Sequence, residues 1–473
     1  MKNMKKYILI LVGVMSLTIV SCEKFLEEKP YDFIGSASFY KTEGDAIAAL
    51  NGAFSSLQPQ TYYGRTSWLV TELSGDLMKV NVALADRDVL YAQTFDANNG
   101  EIGNWWNSSY NLINRANDVI KNVPNIVMDV TRQNNIVGNA RFLRAMAYFD
   151  LVRSFGSVPL ILLPTQDLSN LKPSRTPITD IYKSIIDDLK FAETNCFAEN
   201  LIPSSAKGRV SNGAATALLA KVYLTKATTT AKEATDFTNS LAASNKVIAS
   251  GLYSLVSYKN VFDVTTENNA EHIFSIQFDL PPNIGNIVVR MHLPAGLNGT
   301  GSFVAEKSFE DSFTANDIRK ALTLGRESVT AANAYYSKFS DPLRQINNAR
   351  NNVLILRYAD VLLMQSEALN EINALDLTKL NGINAVRTRA SIPSLLLANV
   401  LTRDAFVDAL VQERAWEFSA EGNRRHDLLR LGRYKQRQLI VFRRAVEDKY
   451  LLYPIPQTEI DLNPNLKPQN PGF

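Results

Sequence analysis

The segment Ile136 to Phe155 constrains the fold more than any other, because it carries helical periodicity on two faces at once. Ala140, Leu143, Ala147 and Leu151 recur along one side, and Phe142, Met146 and Phe149 mark another. A helix at a protein surface shows one apolar stripe, whereas one that shows two is packed between neighbours. The spacing therefore predicts a sandwiched helix, stopped by Gly156 and Pro159.

Other segments supply the neighbours. Glu43 to Leu57 places Ala46, Ala49, Leu50, Ala53 and Leu57 on one face, and Trp106 to Val123 repeats Trp106, Tyr110, Ile113, Ala116, Asn117 and Ile120. A linker rich in Pro, Ser and Asn, from Pro164 to Pro177, precedes Thr179, a candidate N-cap, and the stripe Ile181, Ile185, Leu189, Ala192. Asn212 to Lys226 and Ala231 to Ser250 follow, with Ala214, Ala217 and Ala220 small enough for close helix approach. Short antiparallel pairs of this kind resemble tetratricopeptide units, although no strict repeat is readable.

From Gly251 to about Arg326 the helical period is lost, and a loop-rich insert is expected over about residues 251–350. His272 to Phe278 and Ile287 to Leu293 read as short strands within it. Helical patterns resume at Ala359 to Asn370, Leu377 to Thr388 and Thr402 to Glu421. The proline-rich end, Leu452 to Phe473, is predicted to lie extended over the body. The fold class is thus mostly α, with helix pairs as scaffold and a face of loops and short strands.

At the N-terminus, Lys2, Lys5 and Lys6 precede the apolar run Tyr7 to Val20, which ends in Ile19-Val20-Ser21-Cys22. The run falls short of the roughly 20 residues that span a bilayer and fits the core of a signal peptide. Its end resembles a bacterial lipobox. Residues 1–21 are read as a signal peptide and Cys22 as the lipidation site, leaving 22–473 as a single domain tethered to a membrane through its lipid. Removing those three lysines takes the net charge from +3 to near zero, which argues against a nucleic-acid partner. Cys196 is then the one remaining cysteine, so no internal disulfide or thiolate cluster is possible. His272, His292 and His426 lack metal-ligand spacing, and no phosphate-binding glycine loop or GxSxG motif is present. No cofactor and no metal site are expected.

Glu413, Glu417 and Glu421 recur every four residues, and paired carboxylates at suitable separation can hydrolyse glycosides. Arg387, Arg389, Arg414, Arg424 and Arg425 lie in the same segments, and buried carboxylates need such partners. The ion-pair reading is preferred, and no catalytic residue is assigned. His426 beside Asp427 is not a dyad, because helical neighbours point away from one another.

Seven segments, in order, resemble the SusD/RagB family of nutrient-binding outer-membrane lipoproteins of Bacteroidetes. They are the lipobox with CEKFLEEKP, WNSSYNLINRAND (Trp106 to Asp118), ARFLRAMAYFDLVRSFGSVPL (Ala140 to Leu160), LRYADVLLMQSEALNE (Leu356 to Glu371), INAVRTRA (Ile383 to Ala390), ERAWEFSAEGNRRHDLLRLG (Glu413 to Gly432) and the ending YPIPQTEIDLNPNLKPQNPGF (Tyr453 to Phe473). The resemblance implies a non-catalytic glycan-binding lipoprotein in the cell outer membrane, facing the medium. It also implies delivery of oligosaccharide to a SusC-like TonB-dependent transporter. A peptide-binding RagB-like member is the alternative, and a glycoside hydrolase a more distant one. Sugars offer apolar faces and many hydroxyls, so stacking is expected from Trp68, Tyr62, Tyr63 and Trp105. Polar contacts are expected from Asp76, Asn98, Asn286 and Arg290.

Overall fold

The computed structural model describes residues 39–165 and 171–473; the signal segment and Cys22 lie outside the described residues. Thr42–Phe473 forms one compact unit.

Helix α1, Glu43–Ser55, opens with a capping box, in which Thr42 Oγ1 accepts the Asp45 N–H and the Asp45 carboxylate accepts that of Thr42. Helix α2, Gly100–Asn122, starts six residues before its apolar stripe because the Asn99 side chain caps the N–H groups of Glu101 and Ile102. Helix α3, Val130–Phe155, ends where Gly156 adopts φ +73°. All seven residues of its two apolar faces are buried. It packs against α2 on one flank and α4, Ile178–Asn195, on another, as its double periodicity requires. Helices α5, Asn212–Lys226, and α6, Asp236–Ala249, extend the stack, with Ala214, Ala217 and Ala220 fully buried at the contacts.

The next layer comes from far along the chain. Helix α6 packs on α7, Tyr358–Ile372, which packs on α8, Lys379–Arg389. The stack is thus continuous in space although residues 250–357 leave it. Strands β2, His272–Ile276, and β6, Val353–Arg357, pair antiparallel and hold the two ends of this excursion together. Two smaller antiparallel pairs shape the loop-rich face. Strand β1, Met78–Val80, joins β3, Phe303–Ala305, and β4, Leu324–Gly325, joins β5, Tyr335–Tyr336. Helices α9, Arg403–Phe418, α10, Arg424–Arg430, and α11, Tyr434–Phe442, complete the body.

Three local expectations are corrected. Ile287 to Leu293 is not a strand: Asn286 Oδ1 accepts the Val288 N–H, and the chain turns into a helical segment over Val288–His292. The C-terminal segment is not wholly extended, since Gln457–Leu462 is helical. Its prolines flank the turn, with Pro456 before the first helical residue, rather than interrupting it. Helix α9 ends at Phe418, where Ala420 (φ +64°) and Gly422 (φ +79°) redirect the chain and take Glu421 off the helix.

Candidate ligand-binding site

The acidic triplet is resolved into ion pairs. Glu413 bonds Arg319 at 2.7 Å and Arg387 at 2.9 Å, while Glu417 meets Arg319, Arg357 and Arg389. Glu421 pairs with Lys338 and Arg357, which also reaches Glu271 at 2.8 Å. Burial alone would raise the Glu417 carboxyl, but Arg389, Arg357 and Arg319 hold it well below the usual carboxylate range. Burial raises Glu413 despite Arg319 beside it. Divergent carboxyls of this kind can mark an acid–base pair. Here both side chains are fully buried and every oxygen faces a guanidinium, so the network explains them as scaffold. Among the described residues no group of three or more His, Cys, Asp or Glu is placed to hold a metal ion, and no helix is long and apolar enough to cross a membrane.

The expected stacking platform is packed core. Tyr62 and Tyr63 both direct their hydroxyls to Asp150, at 3.4 and 2.5 Å, and their rings lie against Trp105. Trp105 donates to Ser154 Oγ at 3.1 Å. Trp68 donates to the Ala420 carbonyl, with His292 edge-on against its ring at 4.6 Å. Each ring has its polar edge satisfied internally and its faces covered, so none is open to solvent. Asp76 is likewise spent, gripped by Arg424 at 2.6 Å and by Arg437. Asn286 is buried between the Asn351 carbonyl and a backbone bridge to Ala349. Asn98 is exposed and Arg290 half-exposed, so these two of the eight retain access to solvent.

Four of the eight nevertheless converge. Tyr63, Trp68, Trp105 and Asn286 line one internal cavity of about 70 Å³, where α3 and α5 meet β6 and the turn at 420–423. Lys221 and Asn423 face it too, 2.9 Å apart. A sugar ring with its hydroxyls needs a site of roughly 300 Å³ or more, so this cavity is too small for one.

An open cleft of suitable size, about 540 Å³, lies on the insert. Leu343 is exposed at its rim and Leu322 half-buried beside it, Tyr258 and Phe262 lie buried beneath, and Lys259, Asp263, Ser340 and Arg350 are among its polar groups. The Asp263 carboxyl is held below its usual range by the Thr265 hydroxyl and backbone N–H, both on Oδ1, so it is an ionised acceptor at neutral pH. Arg350 is fixed by a bidentate grip on Asp341. Sequence reading passed over this cleft because its parts come from residues 258–265, 322 and 337–350, without periodicity or motif. Its one legible signal was the shift to Gly, Pro and Asn.

A stack of paired helices with a loop-bearing insert and an open apolar cleft defines a binding module built on a tetratricopeptide-like scaffold. Residues 319–473 match the profile of the SusD family, and residues 24–224 match one described as starch-binding, associating with outer membrane. A SusD-like protein of Formosa agariphila is 29% identical over 99% of this chain and its own whole length. A SusD superfamily structure from Parabacteroides distasonis superposes with TM-score 0.80 at 27% identity, covering 91% of this chain and 99% of its own. A laminarin-binding SusD-like protein gives 0.78 at 23% identity, covering 92% and 100%. The chain belongs to the SusD/RagB family.

Proposed function

We propose that the protein is a non-catalytic glycan-binding lipoprotein, anchored through Cys22 to the outer face of the outer membrane. It captures oligosaccharide and passes it to a SusC-like TonB-dependent transporter. The observation that carries this reading is the open cleft on the insert, in a chain whose N-terminal half matches a starch-binding, outer-membrane-associated family. The fold shared with a laminarin-binding protein agrees with it.

In this reading the C–H face of a sugar packs on Leu322 and Leu343, while its hydroxyls bond Asp263, Ser340 and Lys259. Trp68, Tyr63 and Trp105 act behind the face, holding the loops in place. Affinity electrophoresis against a polysaccharide panel tests it. Retardation on at least one glycan is expected, reduced about tenfold in affinity by Asp263→Ala with Leu343→Ala, with no new reducing ends after prolonged incubation. Unretarded migration on every glycan, or release of reducing ends, counts against it.

A further inference from the structure

The hairpin that borders the cleft carries an unusual arrangement of charge. Gln345 and Asn348 exchange backbone hydrogen bonds of 3.0 and 2.8 Å, leaving Ile346 and Asn347 as a two-residue tip. Ile346 is 69% exposed at φ +41°, a conformation that β-branched residues rarely adopt. Strain of this kind persists where surroundings impose it, and it gathers at ligand-contacting segments. Here the surroundings are two guanidiniums. Arg344 Nη1 donates to the Ile346 carbonyl at 2.5 Å, and Arg290 Nη1 donates to the Asn347 side chain. Arg344 Nη2 reaches across to the carbonyls of Leu297 and Asn298 at 2.9 and 3.2 Å.

Every one of those acceptors is neutral. Among the described residues neither arginine has a salt bridge, and Arg290 Nε is buried without a partner. The acids nearby are engaged elsewhere: Asp341 is gripped by Arg350, and Glu327 accepts the Gly296 N–H. The contrast with Arg319, Arg357 and Arg414, each matched to two or more carboxylates, is plain. Two cations bonded to consecutive residues repel one another, and that arrangement is stabilised when an anion bridges them. Both are half-exposed, and the exposed amides of Asn298 and Asn347 beside them suit sugar hydroxyls.

We propose that Arg290 and Arg344 form an anion subsite, and that the glycan bound is acidic, carrying carboxylate or sulfate groups. The proposal rests on the glycan-binding reading and names its substrate class. Leu343, which lines the cleft, precedes Arg344 directly, so one chain could lie in the cleft and present its anionic substituent to the pair.

Titration calorimetry of the full-length protein in detergent tests it, with laminarin as neutral glucan, polygalacturonate as carboxylate polymer, dextran sulfate as sulfated polymer and polyglutamate as acidic peptide. The expected result is binding of polygalacturonate or dextran sulfate, the stronger of the two naming the anion. That binding weakens at least tenfold from about 50 to about 500 mM salt, and about tenfold in Arg290→Gln/Arg344→Gln. The salt series on unmodified protein keeps the test valid if the double variant folds poorly. Binding of laminarin alone, or of acidic glycan unaffected by both salt and substitution, overturns the anion subsite and leaves the glycan reading intact. Polyglutamate bound as tightly as the acidic glycans overturns the assignment to sugar, and failure of every polysaccharide overturns both readings.

Discussion

Glu417 sits where three guanidiniums converge, and without its charge Arg319, Arg357 and Arg389 would share their remaining carboxylates, Asp317, Glu413, Glu271 and Glu421, in a network shut off from water. Breaking a buried pair leaves uncompensated charge, whereas the intact pair contributes little beyond specificity. Glu417→Gln should therefore lower stability by about 3–5 kcal/mol in urea denaturation. Glu72 is the opposite case. One of its oxygens accepts the N–H groups of Gly422, Asn423 and Arg424, the other has no partner among the described residues, and burial pushes the carboxyl up to about 7. Unfolded, it titrates near 4.5, so the folded state binds more protons between those values. The contribution of Glu72 is full below the lower value and is lost as pH rises through the upper one. Glutamine keeps the acceptor and does not titrate, so the melting temperature of Glu72→Gln relative to wild type should rise from pH 5 to pH 8. A difference that stays flat with pH would show that Glu72 remains ionised throughout.

At the level of elements, close approach decides more than propensity. A Cβ built on Gly382 of α8 would lie 2.2 Å from the Leu362 carbonyl of α7, a backbone atom that cannot step aside. Gly382→Ala should cost about 1–3 kcal/mol, seen as a lower denaturation midpoint with an unchanged slope. The helices themselves were largely legible: α5 spans the residues its pattern marks, and α3 is buried on both predicted faces. The turn at 419–422 and the helical segment at Val288–His292 were not. The first is set by the positive φ of Ala420 and Gly422 and the second by the Asn286 side chain accepting the Val288 N–H, and such features carry no period.

For the whole molecule, the anchor and the binding face are separate devices in the proposed function. Cys22→Ala should move the protein from the membrane fraction to the soluble one on fractionation, while glycan affinity stays unchanged. Loss of binding together with the anchor would mean that the membrane or the transporter completes the site.

Helix period, the sandwiched role of α3, the excursion between α6 and α7, and the family were determined by the sequence alone, because they rest on local spacing and ordered motifs. Which aromatics would meet a ligand was not determined there. Trp68 is buried through a partner 352 residues away, and Tyr63 through one 87 residues away. An aromatic in a polar segment looks the same whether its face meets water or a distant helix. Only the tertiary structure brought Asp150 and Ala420 to those rings, and so moved the candidate site to the insert, where distant loops enclose a cleft beside two arginines that have no salt bridge among the described residues.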